Sequence, residues 1–375
     1  MLGDKVTGIP NHELSNFMLK EIHEQPSVLV DIIEGRLSRD SNKLELLELN
    51  LSDQQLKSFE TVLFIGMGTS LHAGMVGKLW FERIAAIKAE SDNSSEFKDR
   101  NPILNKKTLA ISISQSGETG DTLSAMKTAK ESGATVLNIG NVEGSPASKF
   151  ADHNLSMAAG KEISVAATKS FECSLLTLYM LAIKMGLARN SINSAAYNSM
   201  INELSKLPKM VTKILETKTQ IEELCSYYYK YNHFLYLGRN LNFPIALEGA
   251  LKLKEISYIH AEGYPSGELK HGPMALIDKN MPVVVVMSSD SFFSRNLNTV
   301  SEIVSQGGKV ISVVSEDSDT RSNKADNVIS IPKSSDLLSP LLTAIPLQLL
   351  AYYIAIKRGC NVDQPRNLTK SVPTD

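Results

Sequence analysis

Short apolar runs alternate with amphipathic helical patterns along this chain. The apolar run at residues 61–65 precedes the glycine turn at Gly66 and a helical pattern that includes Trp80. The apolar run at residues 111–113 precedes a second helical pattern, which ends at Gly133. Strands that alternate with helices in this way predict an α/β fold, in which a mostly parallel sheet carries helices on both faces.

The same pattern recurs about 170 residues later, which is a domain-sized offset. The run at 62–65 with Gly66 has a counterpart at 234–237 with Gly238, and the run at 109–113 has a counterpart at 283–286. The chain is therefore predicted to hold two tandem α/β domains. We place the first, with an N-terminal helical segment, at residues 1–200, the second at 201–357, and a C-terminal tail at 358–375.

Hydroxyl-bearing turns follow both apolar runs of the first domain. In an open α/β sheet such turns meet beyond the carboxyl ends of the strands, and backbone N–H groups at helix N-termini bind anions. Each turn alone also fits an ordinary cap or turn, and the Gly-x-Gly at 66–68 lacks the third glycine of a dinucleotide site. Together they favour a phosphate site, whose candidate residues are Thr69, Ser70, Ser114, Gln115, Ser116 and Thr119.

A charged stripe interrupts an apolar helical pattern in the second domain. Glu248, Lys252 and Glu255 stand at positions i, i+4 and i+7, so they share one helix face. A solvated row of ion pairs would show the same spacing. The apolar residues on the rest of the helix favour a buried stripe that lines a site. Downstream, His271 lies in a glycine-bounded loop and suits proton transfer near neutral pH.

Composition excludes several classes of function. The chain has 375 residues and a net charge of −2, so it lacks the basic field that nucleic-acid binding needs. Uninterrupted apolar runs such as 282–287 are too short to cross a membrane, and the first residues show no secretion signal, so a cytoplasmic location is predicted. The three cysteines, Cys173, Cys225 and Cys360, lack the spacing of a metal site. We therefore predict no metal site, including zinc, and no disulfide bond.

Six segments together resemble one protein family. They are GTS at 68–70, SQSGET at 114–119, ATKSF at 167–171, EGALKLKEISYIHAE at 248–262, GELKHGP at 267–273 and DQPRNLTKSV at 363–372. In this order they resemble the sugar isomerase half of the glucosamine-6-phosphate synthases. The resemblance extends from about Asn16 to the C-terminus.

The resemblance implies two tandem sugar isomerase (SIS) domains and a phosphosugar substrate, with fructose 6-phosphate converted to glucosamine 6-phosphate. It implies that the two hydroxyl-bearing turns hold the phosphate, that Glu255 moves a proton between C1 and C2, and that Lys370 forms a Schiff base. Lys252 and Glu248 match positions that line the same site. His271 is implied to assist ring opening from a neighbouring subunit, and hence a homodimer with shared active sites. No organic or metal cofactor is implied.

One part of the synthase pattern has no match. The glutaminase domain that supplies ammonia in the family, with its N-terminal cysteine, is missing from this sequence. The opening at residues 3–5 favours a domain of a longer synthase. The alternatives are a stand-alone phosphosugar isomerase, deaminase or deglycase, and a non-catalytic phosphosugar sensor.

Overall fold

Two five-stranded sheets organise the structure, a computed structural model that describes residues 16–38, 43–288, 291–319 and 322–371. Every strand pairing within the two sheets is parallel. The first sheet has the order β2-β1-β3-β4-β5, with β1 Thr61–Gly66, β2 Lys88–Asn93, β3 Thr108–Ser114, β4 Thr135–Gly140 and β5 His153–Ser156. The second has the order β7-β6-β8-β9-β10, with β6 His233–Gly238, β7 His260–Pro265, β8 Pro282–Met287, β9 Lys309–Ser315 and β10 Asn327–Ile331.

The two strand orders are the same when each sheet is numbered from its own first strand. The first strand of each lies between the second and the third, so both sheets follow the order 2-1-3-4-5. The predicted duplication and the α/β class are thereby confirmed. In this topology the chain reverses direction across the sheet between the first and third strands, and ligands bind at the carboxyl ends of those two strands.

Helices cover both sheets and connect the two halves. The α-helices are α1 Phe17–Arg36, α2 Asp53–Ser58, α3 Thr69–Ile84, α4 Ser94–Phe97, α5 Gly120–Glu131, α6 Pro146–Phe150, α7 Lys169–Arg189, α8 Ser194–Leu204, α9 Leu207–Leu215, α10 Lys218–Tyr228, α11 Asn242–Ser257, α12 Phe293–Ser305 and α13 Pro340–Lys357. Among the described residues, short 3₁₀ helices lie at Leu47–Leu49, Ser266–His271 and Pro273–Leu276. The helix predicted to end near Gly133 is α5, and Gly133 follows it with a positive φ of 88°.

The core is built around two apolar helices, α7 and α13. Both are long and apolar enough by composition to cross a membrane, but 83% and 89% of their apolar windows are buried inside the protein. They are therefore core helices, with α13 packed between α10 and α11. The sequence analysis considered only uninterrupted apolar runs, and it missed these two long helices because both contain scattered polar residues.

The C-terminal tail is anchored to the start of α1. The Asp363 carboxylate accepts hydrogen bonds from the backbone N–H groups of Phe17 and Met18, at 3.1 and 2.9 Å. It thus satisfies two of the N–H groups that a helix leaves unpaired at its N-terminus. The Asp363 carbonyl also accepts the Val165 N–H at 3.0 Å, which ties the tail to the loop that follows β5.

Candidate functional site

The two predicted phosphate loops lie side by side at the carboxyl edge of the first sheet, because β1 and β3 are paired neighbours. Each loop needs a glycine at one point. Gly68 has a φ of 51° and Gly117 a φ of 67°, in the left-handed region that side chains rarely adopt. A Cβ atom at Gly117 would also collide with the side chain of Ser145.

Hydroxyl groups shape the loop after β3. The Ser114 hydroxyl accepts the Gly117 N–H at 3.0 Å, and the Ser116 hydroxyl accepts the Glu118 N–H at 3.2 Å. The carbonyl of Gln115 accepts the Asn141 N–H at 3.3 Å. These bonds hold the backbone of the loop in a defined conformation.

A hydroxyl-bearing residue stands at the start of the helix that follows each loop. Thr119 is the N-cap residue of α5, but its side chain makes no cap hydrogen bond, and Thr69 and Ser70 begin α3. Two helix N-termini therefore face the same edge of the sheet, with hydroxyls beside their first backbone N–H groups. Such an arrangement can bind a phosphate dianion.

The charged stripe of α11 is buried, as the apolar flanks predicted. The side chains of Glu248 and Lys252 are 3% and 1% exposed, and that of Glu255 is 22% exposed. Lys252 Nζ lies 3.4 Å from Glu248 Oε1 and 2.6 Å from Glu255 Oε2. One lysine thus joins two carboxylates, and the more exposed of the two is Glu255.

Thr69 connects this stripe to the phosphate loops. Its hydroxyl donates to Glu248 Oε1 at 3.0 Å and accepts from Lys252 Nζ at 3.2 Å. The first phosphate loop belongs to the first domain, and the charged stripe of α11 belongs to the second. Together they form one continuous polar surface.

His72 belongs to the same cluster and was missed by the sequence analysis. It lies one turn after Thr69 on α3, and its Nδ1 is 2.7 Å from Glu248 Oε2. The spacing of three residues from a candidate phosphate ligand was the available signal, because residues i and i+3 share a helix face.

Burial and neighbouring charges shift the pKa values of Glu248 and Lys252 in opposite directions. Burial raises the pKa of Glu248, but Lys252, His72 and Thr69 outweigh it and hold the pKa of that carboxyl below its ordinary value. Burial lowers the pKa of Lys252, but the two carboxylates outweigh it and raise the pKa above the ordinary lysine value. Lys252 is thus a fixed ammonium, which suits it to bind negative charge and not to act as an amine nucleophile.

A second buried carboxyl lies on α7 and was also missed. Glu172 is fully buried, and neither of its carboxyl oxygens has a hydrogen-bond partner among the residues that the structure describes. Burial, and then the negative charge of Glu248, raise the pKa of Glu172 well above its ordinary value. Glu172 is therefore a neutral acid beside the charged cluster. No helical spacing in the sequence marks it, because α7 is mostly apolar and is buried along most of its length.

Lys370, in the tail, reaches the first domain. Its Nζ donates to Glu162 Oε2 at 2.6 Å and to the Ser164 carbonyl at 2.7 Å. Glu162 and Ser164 lie in the loop after β5, at the same sheet edge as the phosphate loops. This loop is tied to the end of β4, since the Ala159 N–H donates to Asn141 Oδ1 at 2.8 Å.

His271 is not joined to this cluster within the chain. It ends the 3₁₀ helix Ser266–His271 and is exposed, and no contact described in the structure links it to Glu255. Among the residues described, no group of three or more His, Cys, Asp or Glu side chains could hold a metal ion. The opening at residues 3–5, which favoured a domain of a longer synthase, lies outside the described residues.

The fold and the edge of the first sheet define the class of the protein. The SIS domain family matches residues 55–184 and 227–358, one match for each sheet, so the chain is a tandem SIS protein. It is 36% identical to the C-terminal domain of glucosamine-fructose-6-phosphate aminotransferase from Francisella tularensis, with a TM-score of 0.90 over 96% of this chain and 100% of that chain. The chain belongs to the family of these aminotransferase isomerase domains.

Two further relatives extend the comparison. Over 96% of this chain, the glutamine–fructose-6-phosphate aminotransferase (isomerizing) of Aquifex aeolicus is 46% identical. The chain covers 58% of the length of that relative. A glucosamine-6-phosphate deaminase from Thermotoga maritima is 27% identical, with a TM-score of 0.76 over 96% of this chain and 100% of that one.

Proposed function

We propose that this chain carries out the sugar half of an amino-sugar synthesis: fructose 6-phosphate and ammonia give glucosamine 6-phosphate and water. The observation that carries the proposal is the contact of Thr69 with both Glu248 and Lys252. It places a phosphate-type loop next to a buried acid–base helix. The names of the relatives, which include both aminotransferases and a deaminase of glucosamine 6-phosphate, favour the same pair of sugars.

The first proposed step is binding by the phosphate. The hydroxyls of Thr69, Ser70, Ser114, Ser116 and Thr119, the Gln115 side chain and the helix N-termini hold the phosphate remote from the reacting carbons. Binding energy at that end fixes the position of C1 and C2. His271 of a second subunit assists ring opening, which requires the proposed homodimer.

The second proposed step is imine formation and proton transfer. The Lys370 nitrogen bonds to C2 of the open ketose, and water leaves. The resulting cation makes the C1 hydrogens more acidic, so Glu255 can take one of them and exchange it with solvent. Ammonia then adds to C2 and the Lys370 amine leaves, which gives the imine of ammonia. Glu255 carries a proton from C1 of this imine to C2, and glucosamine 6-phosphate forms. Glu255 suits this role because it is the more exposed carboxylate of the stripe. Glu248 and Lys252 hold it in place.

The ammonia source and the location are further parts of the proposal. Curated relatives are longer than this chain, which covers 58% of one of them, and we propose that a glutaminase domain outside these residues supplies the ammonia. We propose a cytoplasmic location, and the domain division at residues 200 and 357 stays a prediction.

The test is proton NMR of fructose 6-phosphate in D₂O with the purified chain, with and without ammonium. We expect deuterium at C1, and glucosamine 6-phosphate when ammonium is present. Lys370→Ala should abolish both, whereas Lys254→Ala, on the exposed side of α11, should leave both unchanged. Binding without exchange would favour a sensor.

The second candidate is the reverse reaction, favoured by the deaminase relative that matches along the full length. A deaminase would release ammonia from glucosamine 6-phosphate faster than it forms the amino sugar from fructose 6-phosphate and ammonium. Initial rates in both directions with the same preparation separate the two. Faster turnover of another phosphosugar in a panel would favour a stand-alone isomerase or deglycase.

A further inference from the structure

Glu162 is a buried carboxylate in the loop between β5 and α7. Its side chain is 0% exposed, and its oxygens accept hydrogen bonds from the backbone N–H groups of Thr168 and Ser170, at 3.0 and 3.1 Å. The Ser170 hydroxyl donates to it as well, at 2.7 Å. Burial raises the pKa of Glu162, but Lys370 and these donors outweigh the burial and hold the pKa below its ordinary value. The group is thus a permanent anion near neutral pH.

The only ammonium described in contact with this anion belongs to Lys370. Glu162 Oε2 and the Ser164 carbonyl, 2.6 and 2.7 Å away, hold the Nζ atom between them. Two acceptors fix the nitrogen in position while one N–H remains for another partner. The side chain of Lys370 is 26% exposed, so the nitrogen stays within reach of a ligand.

The loop that contains Glu162 and Ser164 is itself held by hydrogen bonds to α1. The Glu21 carboxylate of α1 accepts the backbone N–H groups of Ile163 and Ser164 and the Ser164 hydroxyl. Glu21 is itself close enough for Glu162 to raise its pKa, although burial is the larger cause. The pKa of Cys173 on α7 is raised by burial, then by Glu172 and then by the Glu162 charge. The titratable groups that interact electrostatically with Glu162 include Lys370 from the tail, Glu21 from α1 and Cys173 from α7.

We infer that Glu162 is the counter-ion of the Lys370 nitrogen, first as the resting ammonium and then as the protonated imine. The inference rests on the proposed Schiff-base role of Lys370. The ammonium and the carbonyl of the open ketose give the iminium and water, so one positive charge is present before and after the step. A single fixed carboxylate can therefore stabilise both states without moving.

The counter-ion role assigns Glu162 a function that a helix cap alone lacks. An anion beside the iminium keeps it protonated, and only the protonated form withdraws electrons strongly enough to acidify the C1 hydrogens. Glutamine at this position keeps an oxygen that can accept the N–H groups of Thr168 and Ser170, so the cap survives. What it removes is the charge.

The experiment compares Glu162→Gln and Glu162→Asp with wild type in two assays. The first, without sugar, measures by mass spectrometry how fast an acylating reagent modifies Lys370 at pH 7.5. The second traps the imine of fructose 6-phosphate with borohydride and is accompanied by kcat and KM. Glu24→Gln is the matched control, since Glu24 pairs with Lys169 in the first turn of α7, at 2.8 Å. The Glu24→Gln substitution removes a carboxylate near the N-terminus of α7, and no contact of Glu24 with Lys370 is described.

We expect Glu162→Gln to raise the sugar-free modification of Lys370 at least threefold, to cut imine trapping and kcat about tenfold, and to leave KM within about twofold, effects typical of one lost charge interaction. Glu162→Asp, which keeps the charge, should restore at least half of the trapping. Unchanged trapping and modification in Glu162→Gln would overturn the inference, as would an equal loss in Glu24→Gln.

Two results separate this inference from the proposed function. If wild type forms no trapped imine, the Schiff-base role fails, and the sugar-free assay still tests the contact of Glu162 with Lys370. If Glu162→Gln does not fold, the wild-type protein gives the answer alone. There, Lys370 should be modified at least fivefold more slowly than Lys254 of α11, and equal rates would overturn the inference.

Discussion

The Thr69 hydroxyl donates a hydrogen bond to Glu248 across the boundary between the two sheets, at 3.0 Å, and accepts one from Lys252 at 3.2 Å. These two hydrogen bonds hold the phosphate loop of one domain and the charged helix of the other in a fixed relative position. A phosphosugar bound at the loop would have its reacting carbons held at a defined distance from the carboxylates of α11. Preorganisation of this kind lowers the entropy cost of reaching the reactive geometry.

We expect Thr69→Val to weaken both the fold and sugar binding. Valine keeps the shape of threonine but leaves Glu248 with one donor fewer, and a lost bond to a buried charged group costs about 1–3 kcal/mol. Urea unfolding at pH 7.5 measures the change. Thr128→Val is the control, because the Thr128 hydroxyl donates only to the Ser124 carbonyl within α5, and it should cost less than about 0.5 kcal/mol. Equal effects of the two variants would contradict the prediction.

Lys252→Met should be strongly destabilising. Methionine fills a similar volume but leaves Glu248 and Glu255 without the ammonium that lies between them, and an uncompensated buried charge costs about 3–5 kcal/mol. The neighbouring Lys254 is exposed on the same helix, so Lys254→Met should stay within about 0.5 kcal/mol of wild type. The free energy of unfolding in urea distinguishes them. A small effect of Lys252→Met would mean that water reaches the stripe.

Gly117→Ala should damage the phosphate loop more than backbone strain alone predicts. Gly117 and Gly144 have positive φ angles of 67° and 69°, but a Cβ at Gly117 would collide with Ser145, whereas one at Gly144 would have nothing within 4 Å. We expect about 1 kcal/mol from strain in Gly144→Ala and at least about 2 kcal/mol in Gly117→Ala. Thermal unfolding with and without fructose 6-phosphate measures both stability and binding. Protection by the sugar should survive only in Gly144→Ala.

The sequence predicted the parts of the site that leave a local signal. The strand-turn-helix pattern placed Thr69 and Thr119 at helix starts, where the structure has them, and the spacing of Glu248 and Lys252 predicted one buried face. These signals are periodic or depend on turn chemistry, so they are readable within about 20 residues. The duplication was readable because both copies repeat the same order of apolar runs.

The parts that were missed depend on contacts between distant residues. Glu162 meets Lys370 across 208 positions, and Glu248 lies 176 positions from His72. No local pattern distinguishes Glu162 from a surface carboxylate in a loop, since its burial comes from α7 and the tail. In the sequence, Glu172 is an unexplained charged residue in an apolar helix, and only the packing of α7 in the core shows the burial that raises its pKa.

His23 on α1 should make stability depend on pH. Burial, and then the positive charge of Lys218, lower the pKa of His23 from 6.5 to about 4. Between those values the unfolded chain binds a proton that the folded chain does not, so stability rises with pH from about 4 to 6.5 and is level above it. His23→Leu should flatten that slope in urea unfolding, whereas His233→Leu, at an exposed position, should leave it unchanged. An identical slope in His23→Leu would show that another group is responsible.

Glu172→Gln should produce the opposite dependence on pH. The raised pKa of Glu172 means that the folded chain keeps a proton that the unfolded chain releases above about pH 4.5, so the stabilising effect of this group is lost as pH rises towards its folded pKa. Glutamine resembles the neutral acid and does not titrate. The variant should therefore gain stability relative to wild type between pH 6 and pH 8.5, measured by urea unfolding, while Glu223→Gln at an exposed position should follow wild type. Parallel curves for Glu172→Gln and wild type would mean that Glu172 is ionised when folded. Its charge would then add to those of Glu248 and Glu255 against the single ammonium of Lys252, and the cluster would attract a further cation from the solvent.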